Sequence, residues 1–390
     1  MNAHESQKPL VLENAQVVLS DRVIKRGSVV IDSGLITGIG DVSSLPGATI
    51  IDVSDLVLLP GFIDVHNHGA IGVDVMEATP NGLREVSEYL ATQGVTGWLP
   101  TLVPGSNDDY EHVANAVSGV MRDSALRGAR VLGLHYEGPF VNSVQCGALH
   151  VEHFKTYSRP EDLDVLRVPE NGVRMITLAP EITGGVDLVR ELKARGWVIS
   201  IGHTRASLET LDQALAAGAR HMTHFMNAMP PLHHRSPGPI AWGLSRDDVT
   251  FDLIADGIHL DPFMLRLLVK VKGPQSISLI SDAIAAAGKG DGDYNIWGET
   301  ISVRNGRTAN ASGSIAGSVI SMLDAVRVMR SLGVSWVDIA HMASLNPARL
   351  LNLNHECGSI ELGKRADLLA LNPDGTIGLT LVAGQVAFRS

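Results

Sequence analysis

Cysteine is scarce in this sequence: its 390 residues include only Cys146 and Cys357, far apart along the chain. So few thiols argue against a disulfide scaffold and for a reducing compartment, and both read as ordinary thiols. Net positive charge is absent too, because 42 acidic residues outnumber 31 basic ones and leave a formal charge of -11. Polyanions attract net-basic surfaces, so neither nucleic acid nor a membrane is an expected partner. An anionic ligand would need a local cluster of cations. No apolar stretch approaches the ~20 residues that span a bilayer. The opening "MNAHESQKPLVLENAQVVLSDRV" lacks the basic and continuously apolar segments of a secretory signal. These absences together lead us to expect a soluble, cytoplasmic protein. Also missing are low-complexity tracts and a G-x-G-x-x-G phosphate loop, the mark of dinucleotide-binding open sheets.

What is present is a globular balance, 45% apolar and 19% charged, with 40 glycines that imply many tight turns. The length suits one large domain or two of ordinary size. Residues 9–57 alternate apolar and polar positions around Gly, Asn and Asp turns and read as short strands, a small β-module. After Leu59-Pro60-Gly61 the pattern changes, and apolar runs alternate with helix-like stretches such as "NGLREVSEYLATQG" and "SLETLDQALAAGA". The runs are "GFIDVHNH", "GVTGWLPTL", "RVLGLHYEG", "VRMITLAPE", "WVISIGHT", "HMTHFMNAM", "VTFDLIADGIHL" and "SISLISDAI". Eight strands with intervening helices between residue 61 and about 350 predict an α/β protein built on a (β/α)8 TIM-type barrel, whose usual size is about 250 residues. Strand and turn chemistry returns in "GSIELGKRADLLALNPDGTIGLTLVAGQVAFRS". The two β-rich ends are expected to pair into one satellite sheet. That gives a discontinuous domain of residues 1–59 and 356–390 around a barrel of 60–355.

Barrel enzymes place their active sites at the C-terminal ends of the strands. Here the first strand ends in His66 and His68, the third in Glu137, the fifth in His203, the sixth in His224, the seventh in Asp256 and His259, and the eighth in Asp282. In a strand, side chains two apart share a face roughly 6–7 Å apart, so His66 and His68 can grip one ion. Singly, each residue has a bland explanation: a hydrogen-bonded structural histidine, or Asp282 as a helix N-cap. Each of these strand ends would need that explanation independently. Imidazoles and carboxylates at one barrel mouth are instead the ligand set of a Zn²⁺, Fe²⁺ or similar ion. Such an ion acidifies water and polarises a carbonyl, and Asp282 can shuttle the proton provided it lies within hydrogen-bond reach of both water and leaving group. Hydrolysis of an amide, ester or cyclic amide is the implied reaction class.

The order H-x-H, acidic residue, His, His, Asp along eight strands resembles the amidohydrolase superfamily. The blocks "LPGFIDVHNHG", "HYEGPF", "ISIGHT", "THFMNAMPPLHHRSPG", "ADGIHL", "LISDAI" and "GSIAGS" are similar to the N-acetylglucosamine-6-phosphate deacetylase family within it, from about residue 50 to 370. The resemblance implies that the satellite domain is a small β-sandwich formed by both chain ends. It implies that Glu137, His203 and His224 hold one metal, with Glu137 where many superfamily members carry a carboxylated lysine. His66 and His68 then form a second position, Glu137 bridging and Asp282 touching. The cofactor is one or two divalent ions: Zn, Fe, Co, Ni or Mn.

By the same resemblance, Asn227 and Ala228 contact a sugar phosphate, while Arg235 binds its phosphate by reaching into the neighbouring site of a homodimer. Arginine suits that role, because its planar fork can donate two hydrogen bonds and stays charged. His259, after Asp256, contacts substrate, and Ile315, Ala316 and Gly317 line it. His233 and His234 read as loop residues. One departure from the family pattern is "QCGALHVEHF", where a Gly-Ala-His or Gly-Thr-His triplet is usual. Either His150, behind Ala148 and Leu149, fills the role of that histidine after a one-residue insertion, or the loop has changed. The implied reaction converts N-acetylglucosamine 6-phosphate into glucosamine 6-phosphate and acetate, with Asp282 as general base and acid. The alternatives are N-acetylgalactosamine 6-phosphate, another N-acyl amine, or a non-catalytic sugar-phosphate sensor.

Overall fold

The computed structural model describes residues 8–41, 46–123 and 125–390. The eight apolar runs form eight parallel strands: Phe62–Asn67, Val95–Leu102, Gly133–Glu137, Val173–Leu178, Val198–Ile201, His221–Met222, Thr250–Ile254 and Ile277–Ile280. Each pairs with the next in chain order. Eighth and first strands meet through a parallel bridge between Asn67 and Ala283. Two backbone bonds, Asp282 N–H to His66 O (2.9 Å) and His68 N–H to Ala283 O (2.7 Å), fasten this seam. Asp64 adds a buried side-chain clamp, its Oδ2 accepting from the Ser281 hydroxyl at 2.6 Å and from Asn67 Nδ2 at 3.1 Å. The ring is therefore tied together directly beneath His66, His68 and Asp282.

Helices form on the outside where caps and periodicity agree. Thr79 caps Pro80–Thr92, which has Pro at its first position. Ser106 and Asp109 cap Asn107–Met121 reciprocally, and Ser207 opens Leu208–Ala217, which Gly218 closes at φ +118°. These devices satisfy backbone groups that a helix end leaves without partners. Leu83, Val113, Leu188, Leu211 and Leu265 on the helices share one large core with Phe62, Leu134, Ile176, Ile199, Phe251 and Leu279 on the strands. Alternate strand positions serve the barrel interior, where Leu99 and Met175 share their strand faces with Thr101 and Thr177.

Both chain ends build one eight-stranded sheet. Leu368–Leu371 lies antiparallel to Val57–Pro60, which joins the N-terminal strands to Ile377–Val382 and Gln385–Arg389. Leu10–Val18 is the branch point, pairing with Thr49–Asp52 along one half and with Val57–Pro60 along the other. The sheet encloses its own core around Leu12, Val29, Ile36, Leu58, Leu368 and Leu381. One further element lies outside the expected strand and helix alternation. After the eighth barrel strand, Gly292–Ile296, Glu299–Arg304 and Arg307–Ala309 form a three-stranded antiparallel sheet. Among the described residues no helix is long and apolar enough to cross a membrane.

Candidate metal centre

The strand ends aim six ligating side chains at one mouth, all of them buried. His203, His224 and Asp282 reach it by leaving the strand direction abruptly, with φ of +46°, +32° and +50°. Non-glycine residues take that conformation at a cost of about 1–3 kcal/mol, which persists where surrounding contacts hold it and tends to mark functional sites. The neighbouring Gly317, itself at φ +53°, is required by close approach, because a Cβ there would lie 2.8 Å from the Asp282 carbonyl oxygen.

Glu137 Oε1 lies 2.9 Å from His203 Nε2 and 2.9 Å from His224 Nε2, and the two imidazole nitrogens are 3.1 Å apart. His66 Nε2 and His68 Nε2 are 3.0 Å apart and stand 3.4 and 3.2 Å from Asp282 Oδ1. Glu137 joins the two sets, with Oε1 3.6 Å from His66 Nε2 and Oε2 3.4 Å from His68 Nε2. Ligands about 2.0–2.1 Å from a common ion stand roughly 2.9–3.4 Å from one another at octahedral or tetrahedral angles. Both triads match that spacing. The tautomers agree: His68 Nδ1 is 3.1 Å from the Thr101 carbonyl and His203 Nδ1 is 2.7 Å from the Gln145 carbonyl. A carbonyl accepts only, so each Nδ1 carries hydrogen and each Nε2 faces inward, where loss of its own proton would leave the lone pair a metal ligand needs. The donor set therefore fits one ion at each triad.

Supporting groups hold the ligands still. Asp252 accepts a hydrogen bond from the His224 backbone N–H and lies 3.1 Å from His221 Nε2. His135 lies edge-on against His66 at 4.6 Å between ring centres. Its Nδ1 donates to Val65 O at 3.1 Å, and its Nε2 accepts from the Thr177 hydroxyl at 2.8 Å. Burial, reinforced by the charge of His66, pushes its pKa well below the usual value, so this imidazole is neutral.

The electrostatics are those of carboxylates waiting for cations. Burial favours neutral Glu137, but the charge of His66 and hydrogen bonds from His203 and His224 outweigh it and hold the carboxyl far below its usual range. Asp282 is lowered likewise, its burial outweighed by His66 and His68. Burial opposes charge on His68 and His224 as well, yet the carboxylates raise them to about 10 and about 9. Protons on these imidazoles thus supply positive charge that the carboxylates attract. Because these folded-state pKa values exceed the unfolded value near 6.5, the stabilisation they bring is complete below about pH 6.5 and lost as pH rises through 9–10. An incoming ion must displace the same protons. The rise in Tm on adding metal at fixed free concentration should therefore grow from pH 6 to pH 9, measured by differential scanning fluorimetry. A rise that is flat or shrinks with pH contradicts this coupling.

A cavity of about 310 Å³ opens above the ligands and is lined by His68, Glu137, His203, His224 and Asp282 together with Ala148, Leu149, Asn227, Ala228, His259, Ile315 and Gly317. His66 lies beneath the cavity floor, and four residues anticipated to contact substrate also stand off its walls. Asp256 holds His259 from behind, Oδ2 to Nδ1 2.7 Å, and His259 keeps its carboxyl below the usual range despite burial. Ala316 is buried in a small apolar cluster behind the wall. His150 faces Glu152 at 3.2 Å, and Arg235 is exposed with its Nη1 2.8 Å from His234 Nε2. Gly147, Ile254, Trp297 and Ser314 line the cavity without having been anticipated. For Trp297 the available signal was the alternating "DYNIWGETISV" around a Trp-Gly turn.

A parallel barrel with two triads of candidate metal ligands at its C-terminal mouth is the architecture of a metal-dependent hydrolase. Residues 57–387 match the Amidohydrolase family, and the chain belongs to it. N-acetylglucosamine-6-phosphate deacetylase of Bacillus subtilis (strain 168) is 38% identical over 98% of both chains. N-acetylgalactosamine-6-phosphate deacetylase of Escherichia coli O157:H7 is 36% identical, covering 85% of this chain and 88% of its own. The crystal structure of N-acetylglucosamine-6-phosphate deacetylase from Thermotoga maritima superposes with a TM-score of 0.88 at 32% identity, covering 97% of this chain and all of that one.

Proposed function

We propose that this hydrolase removes the acetyl group of N-acetylglucosamine 6-phosphate, yielding glucosamine 6-phosphate and acetate. The observation that carries the reading is the convergence of six ligating side chains from five strand ends on a cavity that Asn227, Ala228 and His259 also line. At about 310 Å³ the cavity sits at the small end of the roughly 300–1,000 Å³ usual for small-molecule sites, a fit for one sugar. When bound, one or two divalent ions held by Glu137, His203 and His224 and by His66 and His68 supply Lewis acidity, lowering the pKa of the attacking water and polarising the acetyl carbonyl.

Asp282, held as a carboxylate, takes a proton from that water as its oxygen bonds to the acetyl carbon. The C–N bond then breaks, and Asp282 returns the proton to the departing nitrogen. Asp256 fixes the His259 tautomer, so that Nε2 faces the sugar. Asn227 and Ala228 bound the sugar phosphate. Exposed Arg235 meets the phosphate of a neighbouring subunit in a homodimer, which supplies the cation that a chain of charge -11 needs locally. The division into residues 1–59 with 356–390 and a catalytic 60–355 belongs to the same reading. So does a cytoplasmic setting, where Cys146 and Cys357 remain free thiols.

kcat/KM for the 6-phosphate should exceed that for N-acetylglucosamine by about 100-fold, the worth of two charge-assisted hydrogen bonds. Arg235→Ala should erase most of the difference. Equal values for the two sugars would defeat the assignment, and a preference for the galacto epimer would move it to the activity named for the Escherichia coli relative.

A further inference from the structure

We infer that Trp297 is the wall that limits the acyl group, giving the site its selectivity for acetyl over longer N-acyl chains; this rests on the deacetylase reading above. Trp297 and Gly298 are the two-residue turn between Gly292–Ile296 and Glu299–Arg304, whose pairing runs up to Ile296 and Glu299. Both turn residues have positive φ, +54° and +78°. Asn, Asp or Gly adopt that left-handed turn most readily, so an indole there carries backbone strain without helping the hairpin. Its Nε1 is buried and makes no hydrogen bond of normal length, the Asp74 carboxylate being the acceptor it faces. Neither feature favours tryptophan for folding. What the side chain touches accounts for it.

The indole enters the catalytic cavity and meets the ring of the metal-ligand candidate His68 edge-on, 5.3 Å between centres at 80°. It is wedged between two small apolar clusters, one containing Ile296 and Ala316 and the other Val141 and Leu149. This gives the part of the cavity beside His68 an apolar face packed from two sides, whereas Asn227 and His259 belong to loops after the sixth and seventh strands. The acyl chain is the one apolar portion of an N-acetyl amino sugar phosphate. With the carbonyl carbon at Glu137 and Asp282 and the sugar toward Asn227, the carbon beyond the carbonyl points at Trp297. A methyl fits against the indole; added methylenes collide with a ring that packing on two sides keeps from moving.

The test compares kcat/KM for N-acetyl-, N-propionyl- and N-butyrylglucosamine 6-phosphate in the wild type, Trp297→Phe and Trp297→Ala. One methylene in an apolar pocket is worth about tenfold or more in discrimination. The butyryl-to-acetyl ratio should therefore rise at least about tenfold in Trp297→Ala and by less in Trp297→Phe, which keeps an aromatic ring in both clusters. A residue that merely anchors the hairpin would lower all three substrates together. An unchanged ratio in both variants overturns the acyl wall while leaving the deacetylase reading intact. A wild type that hydrolyses none of the three overturns the deacetylase reading itself.

Discussion

Asp282→Asn should lower kcat by about 10²- to 10⁴-fold, the usual contribution of a general base and acid, with substrate still bound. The substitution changes charge and little else. Asn accepts a φ of +50° at least as readily as Asp, and the backbone bonds to His66 O and from Ser318 N–H do not involve the side chain. Asp282 is the carboxylate that His66 and His68 hold ionised, so it is free to accept a proton from water. Steady-state turnover together with calorimetric titration of the substrate separates the two effects. Undiminished turnover would remove Asp282 from the reaction; lost binding with unchanged kcat would make it a substrate contact instead.

Glu137→Gln should be nearly as damaging, for a different reason. Its two oxygens lie within 3.6 Å of all four histidines. An amide keeps the shape but removes the charge that draws a cation to either triad and leaves four inward imidazoles without their shared counter-charge. Bound metal should fall below one ion per chain, and activity by about 10³-fold or more, as expected when the water-activating group is lost. His66→Asn offers the contrast: it spares Glu137, His203 and His224, so one ion should remain. Elemental analysis of both variants after exhaustive dialysis distinguishes these outcomes. Equal metal content in Glu137→Gln and wild type would show that Glu137 is not the bridge.

Much of this architecture is legible along the chain because strand chemistry and ligand chemistry coincide. Each of the eight β-rich runs ends at or just before a turn, and five of those turns open on a histidine or carboxylate that reaches the mouth. The pairing of the two chain ends could be anticipated from composition, but the branching of the sheet at Leu10–Val18 could not, because one strand serves two partners at different heights.

The three-stranded sheet after Ile280 lies outside the strand and helix alternation that a barrel implies. Its Asn305-Gly306 turn, at φ +51° and +75°, is a standard hairpin signal in hindsight. Supporting residues are harder to see. Asp64 and Ser281 meet across 217 positions, and Asp252 reaches the His224 amide across 28, so their roles exist only once the ring closes. Loop geometry is the other blind spot. His150 follows Ala148 and Leu149 in sequence, yet the turn that sends those two into the cavity sends His150 toward Glu152. No local rule marks Trp297, at a hairpin tip, as pointing inward.

The central claim is that His203, His224 and Glu137 surround one cation. Diffraction data collected on either side of the absorption edge of the metal that copurifies with the protein test it most directly. An anomalous peak within about 2.0–2.3 Å of Glu137 Oε1, His203 Nε2 and His224 Nε2 is the expected result. Metal-loaded, catalytically active crystals with no anomalous density between those three atoms would contradict it.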